Sequence, residues 1–177
     1  MTYEPQEDSY LLLEYVKQLA YGKVLDMGTG SGILAKEAVY SHEVDEVVAV
    51  DIDEQCIEEL NKKDTKKIRA FQSDLFGDVD EKFDTIVFNP PYLPLEEKDK
   101  DKALDGGVKG YEVIEMFLKE AKKHLNRGGI ILMVFSSRTG KPEVDAIIKR
   151  ERYKFELLEK KSLEFFEELY VYKIKRR

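Results

Sequence analysis

The chain is expected to fold as α/β, with a mostly parallel sheet covered by helices on both faces. Two observations predict this. Short apolar runs of strand length alternate with longer stretches of helical period, and each pair of runs is far enough apart for a right-handed crossover. Only at the tail does the spacing shrink: Phe155-Glu156-Leu157-Leu158-Glu159 and Leu169-Tyr170-Val171-Tyr172-Lys173-Ile174 stand about ten residues apart, which suits an antiparallel hairpin at one edge of the sheet.

Taken in order, an opening helix over residues 8–20 follows from Leu11-Leu12-Leu13 behind a polar start. A first strand over 23–27 runs into Gly28-Thr29-Gly30-Ser31-Gly32, and Ile33-Leu34-Ala35-Lys36-Glu37-Ala38-Val39 then reads as a helix within 31–40. Val47-Val48-Ala49-Val50-Asp51 gives a second strand over 46–51. A helix over 54–63 follows, with Cys56 beside Ile57 and Leu60, so the cysteine reads as a core residue. Strands over 68–73 and 84–89 come next, the latter built on Thr85-Ile86-Val87-Phe88. The segment from Pro90 to Lys109 is long and irregular, and a loop of that length beside a site is expected to contact substrate or act as a lid. A helix over 110–125, a strand over 130–136 and a helix over 142–151 complete the alternation before the hairpin.

Length and composition narrow the class. A chain of 177 residues is expected to make one domain, 1–177, around a single sizeable core. With 42% hydrophobic and 37% charged residues it is neither a disordered nor a membrane-spanning sequence, and nothing at its start resembles a secretion signal. A cytoplasmic location is expected, in keeping with a lone cysteine that has no partner for a disulfide. His42 and His124, distant from Cys56, offer no zinc set, so no metal is expected; His124 suits the last turn of a helix. The net charge of −7 argues against a protein that tracks phosphates, and the basic ending Lys173-Ile174-Lys175-Arg176-Arg177 reads as a solvated strand end.

Two motifs carry the chemistry. Asn89-Pro90-Pro91-Tyr92 ends a strand with a carboxamide, a stiff double-proline turn and an aromatic ring. The Asn89 side-chain oxygen and the Pro90 carbonyl can together accept both hydrogens of a planar NH2 group, and Tyr92 offers a face for stacking. A plain turn would also use these residues. The alternating glycines 28, 30 and 32 differ in spacing from the dinucleotide fingerprint, but they let backbone approach a bulky ligand. Asp26, Asp51 and Asp74 fall near the ends of three successive strands, a set that suits a cationic, diol-bearing cofactor and repels polyphosphate.

Asp26-x-Gly28-x-Gly30-x-Gly32, Asp51, Ser73-Asp74 and Asn89-Pro90-Pro91-Tyr92 together resemble the class I S-adenosylmethionine-dependent methyltransferases. Within them the chain is most similar to the HemK-related protein-glutamine N5-methyltransferases of the short archaeal and eukaryotic release-factor branch. Glu4-Pro5-Gln6-Glu7-Asp8 resembles that branch's opening segment, and Asp105-Gly106-Gly107-Val108-Lys109-Gly110 its glycine stretch; the extra N-terminal domain of the longer HemK enzymes is not expected. The resemblance implies a Rossmann-like, seven-stranded, mostly parallel sheet with an antiparallel last strand. It implies that the glycine loop passes under the methionine part of S-adenosyl-L-methionine, that Asp51 holds the ribose hydroxyls, and that Ser73 and Asp74 contact adenine. Glu7, Asp8 and Ser9 are candidates for cofactor contact or for capping the first helix, and Asp26 for cofactor contact or for bracing the glycine loop. Asn89, Pro90, Pro91 and Tyr92, with Gly106 and Gly107, are the expected substrate contacts, and Asn89, Pro90 and Tyr92 the catalytic set.

An amide nitrogen is a poor nucleophile, so the site must hold both N–H bonds and steady the charge that develops as the nitrogen attacks the sulfonium methyl. No nucleophile-base pair is present to suggest a covalent intermediate. The resemblance implies the Gly-Gly-Gln loop of a class I peptide-chain release factor as substrate, and a small zinc-binding activator protein as a partner pairing along Ile68-Arg69-Ala70-Phe71. Adenine N6-methylation of RNA or DNA presents the same planar NH2, but there is no basic track for direct nucleic-acid binding. Protein-lysine methylation would need a base that the Asn motif lacks, and a catalytically dead binding subunit would show a damaged glycine loop or Asn motif.

Overall fold

The computed structural model describes residues 5–62, 66–91 and 110–177. Among these, the strands are β1 (Gly22–Met27), β2 (Val44–Asp51), β3 (Ile68–Gln72), β4 (Phe83–Phe88), β5 (Leu125–Ser136), β6 (Tyr153–Ser162) and β7 (Glu168–Arg176). The helices are α1 (Glu7–Leu19), α2 (Ile33–Val39), α3 (Glu54–Asn61), α4 (Glu112–His124) and α5 (Lys141–Arg150). The strands form one seven-stranded sheet in the order β3-β2-β1-β4-β5-β7-β6. β1 to β5 pair in parallel, whereas β7 runs antiparallel to both β5 and β6.

The strand order reverses between β1 and β4, the place where an open α/β sheet leaves a crevice beyond its carboxyl ends. Burial explains why both strands sit at the centre: Val24 to Met27 and Thr85 to Phe88 are buried throughout, so each strand needs cover on both faces. Successive side chains alternate between two cores. Leu25, Met27, Ile86 and Phe88 join Phe117, Leu118 and Ile147 on the α4 and α5 side, while Val24 and Val87 join Leu12, Val16 and Ala35 on the α1 and α2 side. Rings stiffen the first core beneath the crevice. Phe117 packs on Phe88 with centroids 4.2 Å apart and on Phe76 at 5.4 Å, and His124, the last residue of α4, stacks on Phe76 at 4.6 Å. Cys56 is buried on α3, as expected of a core cysteine.

Three local expectations change. α4 runs straight into β5, which begins at Leu125 and not near residue 130; Gly128 and Gly129 lie within the strand, where an irregularity opposite Phe83 and Thr85 absorbs them. β6 extends from Tyr153 to Ser162, with a register shift between Leu157 and Glu159 that breaks the alternation a sequence pattern relies on. And α1 begins at Glu7 after Gln6, which makes no side-chain capping bond, so Asp8 and Ser9 stand inside the first turn and do not cap it. No helix among the described residues is long and apolar enough to cross a membrane.

Candidate active site

The crevice is built from four strand ends. β1 leads into the glycine loop, whose amides are tied down locally: Thr29 N–H donates to the Val50 carbonyl at 2.9 Å and Gly32 N–H to the Thr29 carbonyl at 2.8 Å. Gly32 opens α2 in the left-handed region at φ 76°, where glycine is favoured, and a Cβ there would lie 2.7 Å from Leu60 Cδ1 and would have to displace that methyl. Gly30 is different. Its φ is 50°, yet a Cβ would meet nothing within 4 Å, so this glycine faces open space above the loop. Gly28 is also open, with only the Phe88 ring edge at 3.8 Å.

Asp26 stands under that loop, 1% exposed. One carboxylate oxygen, Oδ2, accepts from Thr29 Oγ1 at 2.6 Å and from the Ala35 amide at 3.0 Å, which binds β1, the loop and α2 into one unit. The other, Oδ1, is buried and has no hydrogen-bond partner among the described residues. Burial pushes the Asp26 carboxyl up to about 7, against the downward pull of the Thr29 and Ala35 hydrogen bonds. Thr29 escaped the sequence reading; a hydroxyl three residues after an aspartate, inside a glycine turn, is the local signal that marks it.

At the end of β2, Asp51 Oδ2 accepts from the Gly30 amide at 2.8 Å and Oδ1 from the Asp53 amide at 2.9 Å. Each oxygen keeps a second lone pair, so the carboxylate remains able to accept from hydroxyls. Asp53 in turn caps α3 through the Gln55 amide. Past β3, the Ser73 amide donates to the Asp51 carbonyl at 2.9 Å; its hydroxyl donates to the Leu75 carbonyl at 2.8 Å and accepts from the Asp78 amide at 3.1 Å. Ser73 is thus buried and shapes the turn, while Asp74 beside it is exposed.

Asn89 leaves the end of β4, followed by a buried Pro90 and a half-buried Pro91. Its Nδ2 donates to Ser9 Oγ at 3.1 Å, and that hydroxyl donates to Asp8 Oδ1 at 3.3 Å, with Asp8 and Ser9 both 3% exposed. The relay Asn89 to Ser9 to Asp8 fixes which way the carboxamide points. Its Oδ1 is left buried without a partner among the described residues. Sequence reasoning offered Ser9 and Asp8 for cofactor contact or for capping α1 but missed this tie across 80 positions of chain. Glu7 is exposed and pairs with Lys161 at the end of β6. Tyr92, Gly106 and Gly107 lie outside the described residues.

The site therefore gathers Asp26, Gly28, Gly30, Gly32, Asp51, Ser73, Asp74, Asn89, Asp8 and Ser9 along one end of the sheet. Two buried acceptors lack donors among the described residues, open space lies above two glycines, and carboxylates mark three strand ends. These features fit a bulky ligand with cationic and hydroxyl groups, and they fit a planar NH2 donor opposite Asn89. Among the described residues no group of three or more His, Cys, Asp or Glu side chains could hold a metal.

Comparison with known proteins identifies the family and the fold. The family described as Methyltransferase small domain matches residues 4–163. A Methanocaldococcus jannaschii protein, provisionally named a protein N5-glutamine methyltransferase, is 37% identical over 96% of this chain and 89% of its own. A chain of the Mtq2-Trm112 complex of E. cuniculi, described as responsible for methylating the eRF1 translation termination factor, superposes with a TM-score of 0.80 at 25% identity, covering 99% of each chain. The T. thermophilus 16S rRNA N2 methyltransferase RsmC, solved with AdoMet and guanosine, shares the fold at a TM-score of 0.70 and 24% identity, over 98% of this chain and 44% of that one.

Proposed function

The chain belongs to the methyltransferase small-domain family, and on that premise we propose that it methylates the side-chain amide nitrogen of a glutamine in a class I peptide-chain release factor, using S-adenosylmethionine. The observation that carries this is the Asn89 carboxamide: its NH2 end is held by Ser9, and its oxygen is buried at a strand end with no donor among the described residues. That oxygen and the Pro90 carbonyl would receive the two N–H groups of a substrate amide. The names of the M. jannaschii and E. cuniculi relatives support the substrate class.

Asp51 would hold the ribose hydroxyls, the Gly28 and Gly30 backbone would lie against the methionine moiety, and Ser73 and Asp74 would stand near adenine. Asp26 would brace the loop and turn its free oxygen toward a cationic group. S-adenosylmethionine, when bound, would supply the methyl group from its sulfonium sulfur to the amide nitrogen and would leave as a thioether. Asn89 accepts a hydrogen bond throughout and takes no proton; the nitrogen sheds one to solvent once methylated. A small activator subunit would pair along β3, which is an edge strand with Arg69 exposed.

Tritiated S-adenosylmethionine incubated with this protein and a purified archaeal-type release factor tests the proposal. Label is expected in the factor and is expected to vanish when the glutamine of its Gly-Gly-Gln loop is changed to alanine. Label appearing in RNA from the same extract, and not in the factor, would overturn it.

A further inference from the structure

The short connection between β6 and β7 carries the most exposed aromatic residues described: Phe165 is 84% and Phe166 101% exposed. Both have positive φ, 56° and 61°, a conformation that side-chain-bearing residues rarely hold. Neither ring is exposed through fraying. Leu163 N–H donates to the Glu167 carbonyl at 2.8 Å and closes the connection; Arg138 pairs with Glu167 at 3.2 Å; and the Glu168 amide donates to Ser137 Oγ at 3.0 Å. Two large apolar rings are thus pushed into water on a pinned, strained backbone, beside an open depression of about 440 Å³ lined by Leu163, Phe165 and Phe166.

The position of this tip says what meets it. Ser136, the last residue of β5, pairs with Leu169, and Ser162 with Glu168, so the tip rises from the same end of the sheet as Asn89. Two strand spacings separate β4 from β7, roughly 10 Å. Contacts through the start of α1 link the two: Lys161, at the base of the tip, pairs with Glu7, and two residues further on Ser9 holds Asn89. An extended chain entering the Asn89 site crosses that gap within about six residues.

We infer that Phe165 and Phe166 form the docking anchor for the substrate protein, gripping an apolar side chain that flanks the glutamine presented to Asn89. The inference rests on the function proposed above and names the second contact through which that substrate is held. Rigid aromatic rings suit the task because they cover much area and lose little freedom on binding.

The test is the double substitution Phe165→Gly/Phe166→Gly, which removes both rings while the backbone keeps a conformation glycine favours. With purified release factor as substrate, KM is expected to rise about tenfold to a hundredfold. The kcat, the affinity for S-adenosylmethionine and the thermal midpoint are expected not to fall. An unchanged KM overturns the inference, as does a parallel loss of cofactor affinity or a wild-type dimer that becomes a monomer in the variant, which would make a second copy the occupant. Failure of the wild-type protein itself to label the factor would instead strike the proposed function, so the two failures are read from different samples.

Discussion

A single oxygen atom, Asn89 Oδ1, decides how the crevice discriminates, because its partner amide end is already committed to Ser9. Asn89→Ala is expected to lower kcat about 10²–10³-fold, as loss of one aimed group at a charge-developing centre does, whereas Asn89→Asp retains an acceptor and part of the rate; single-turnover labelling measures both. Ser9→Ala removes the acceptor that orients Asn89. It is expected to lower kcat by up to about tenfold, the scale of one hydrogen bond, with KM for S-adenosylmethionine unchanged; a rise in that KM would make Ser9 a cofactor contact instead. Asp26 yields a pH test. Its carboxyl is raised to about 7 in the folded chain from an ordinary 3.8, so the folded state binds the extra proton between those values. Stability from this group is therefore full below about pH 4 and is lost as pH rises through about 7, a change on the order of a few kcal/mol. Asp26→Asn is expected to gain on the wild type in urea midpoint between pH 5 and pH 8. The motif residues stood out in the sequence because glycines, paired prolines and strand-end acids have local signatures. The link from Asn89 to Ser9 and Asp8 has none, since only the fold brings α1 to the end of β4.

At the scale of elements, the glycine loop separates two functions that its sequence presents as one. Gly32 lies under Leu60 at the start of α2, and Gly30 faces open space. Gly32→Ala is expected to lower the thermal midpoint by several degrees, reflecting strain of about 1–3 kcal/mol and a side-chain collision. Gly30→Ala carries a backbone cost without the collision, and is expected to weaken S-adenosylmethionine binding more than it lowers stability; calorimetry and cofactor titration compare the pair. Element type was legible wherever period and burial agreed, as in β1, β2, β4 and the amphipathic α3 to α5. It failed at bounds set by pairing. The start of β5 looked like a loop because Gly128 and Gly129 interrupt the apolar run, and only its partner β4 shows that the ladder continues past them. The end of β6, Glu159 to Ser162, is polar and nowhere more than half-buried, so nothing in its composition announced a strand.

For the whole molecule, a net charge of −7 sets the expected response to salt. KM for the release factor should change by less than about tenfold between 50 and 200 mM salt, where an enzyme that neutralises several phosphates would lose about 10³–10⁵ in affinity; a steep slope would favour a nucleic-acid substrate. The spacing of the tail foretold an antiparallel pair but not which strand lies outermost, since hairpins of either order share the same periodicity. In the folded sheet β7 is the inner strand and β6 the outer one. β6 therefore has no seat until the residues after it have left the ribosome. From the completion of β5 until β7 emerges the apolar flank of β5 stays uncovered, and a stop codon within β7 would unseat residues 153–167 upstream as well as those it deletes.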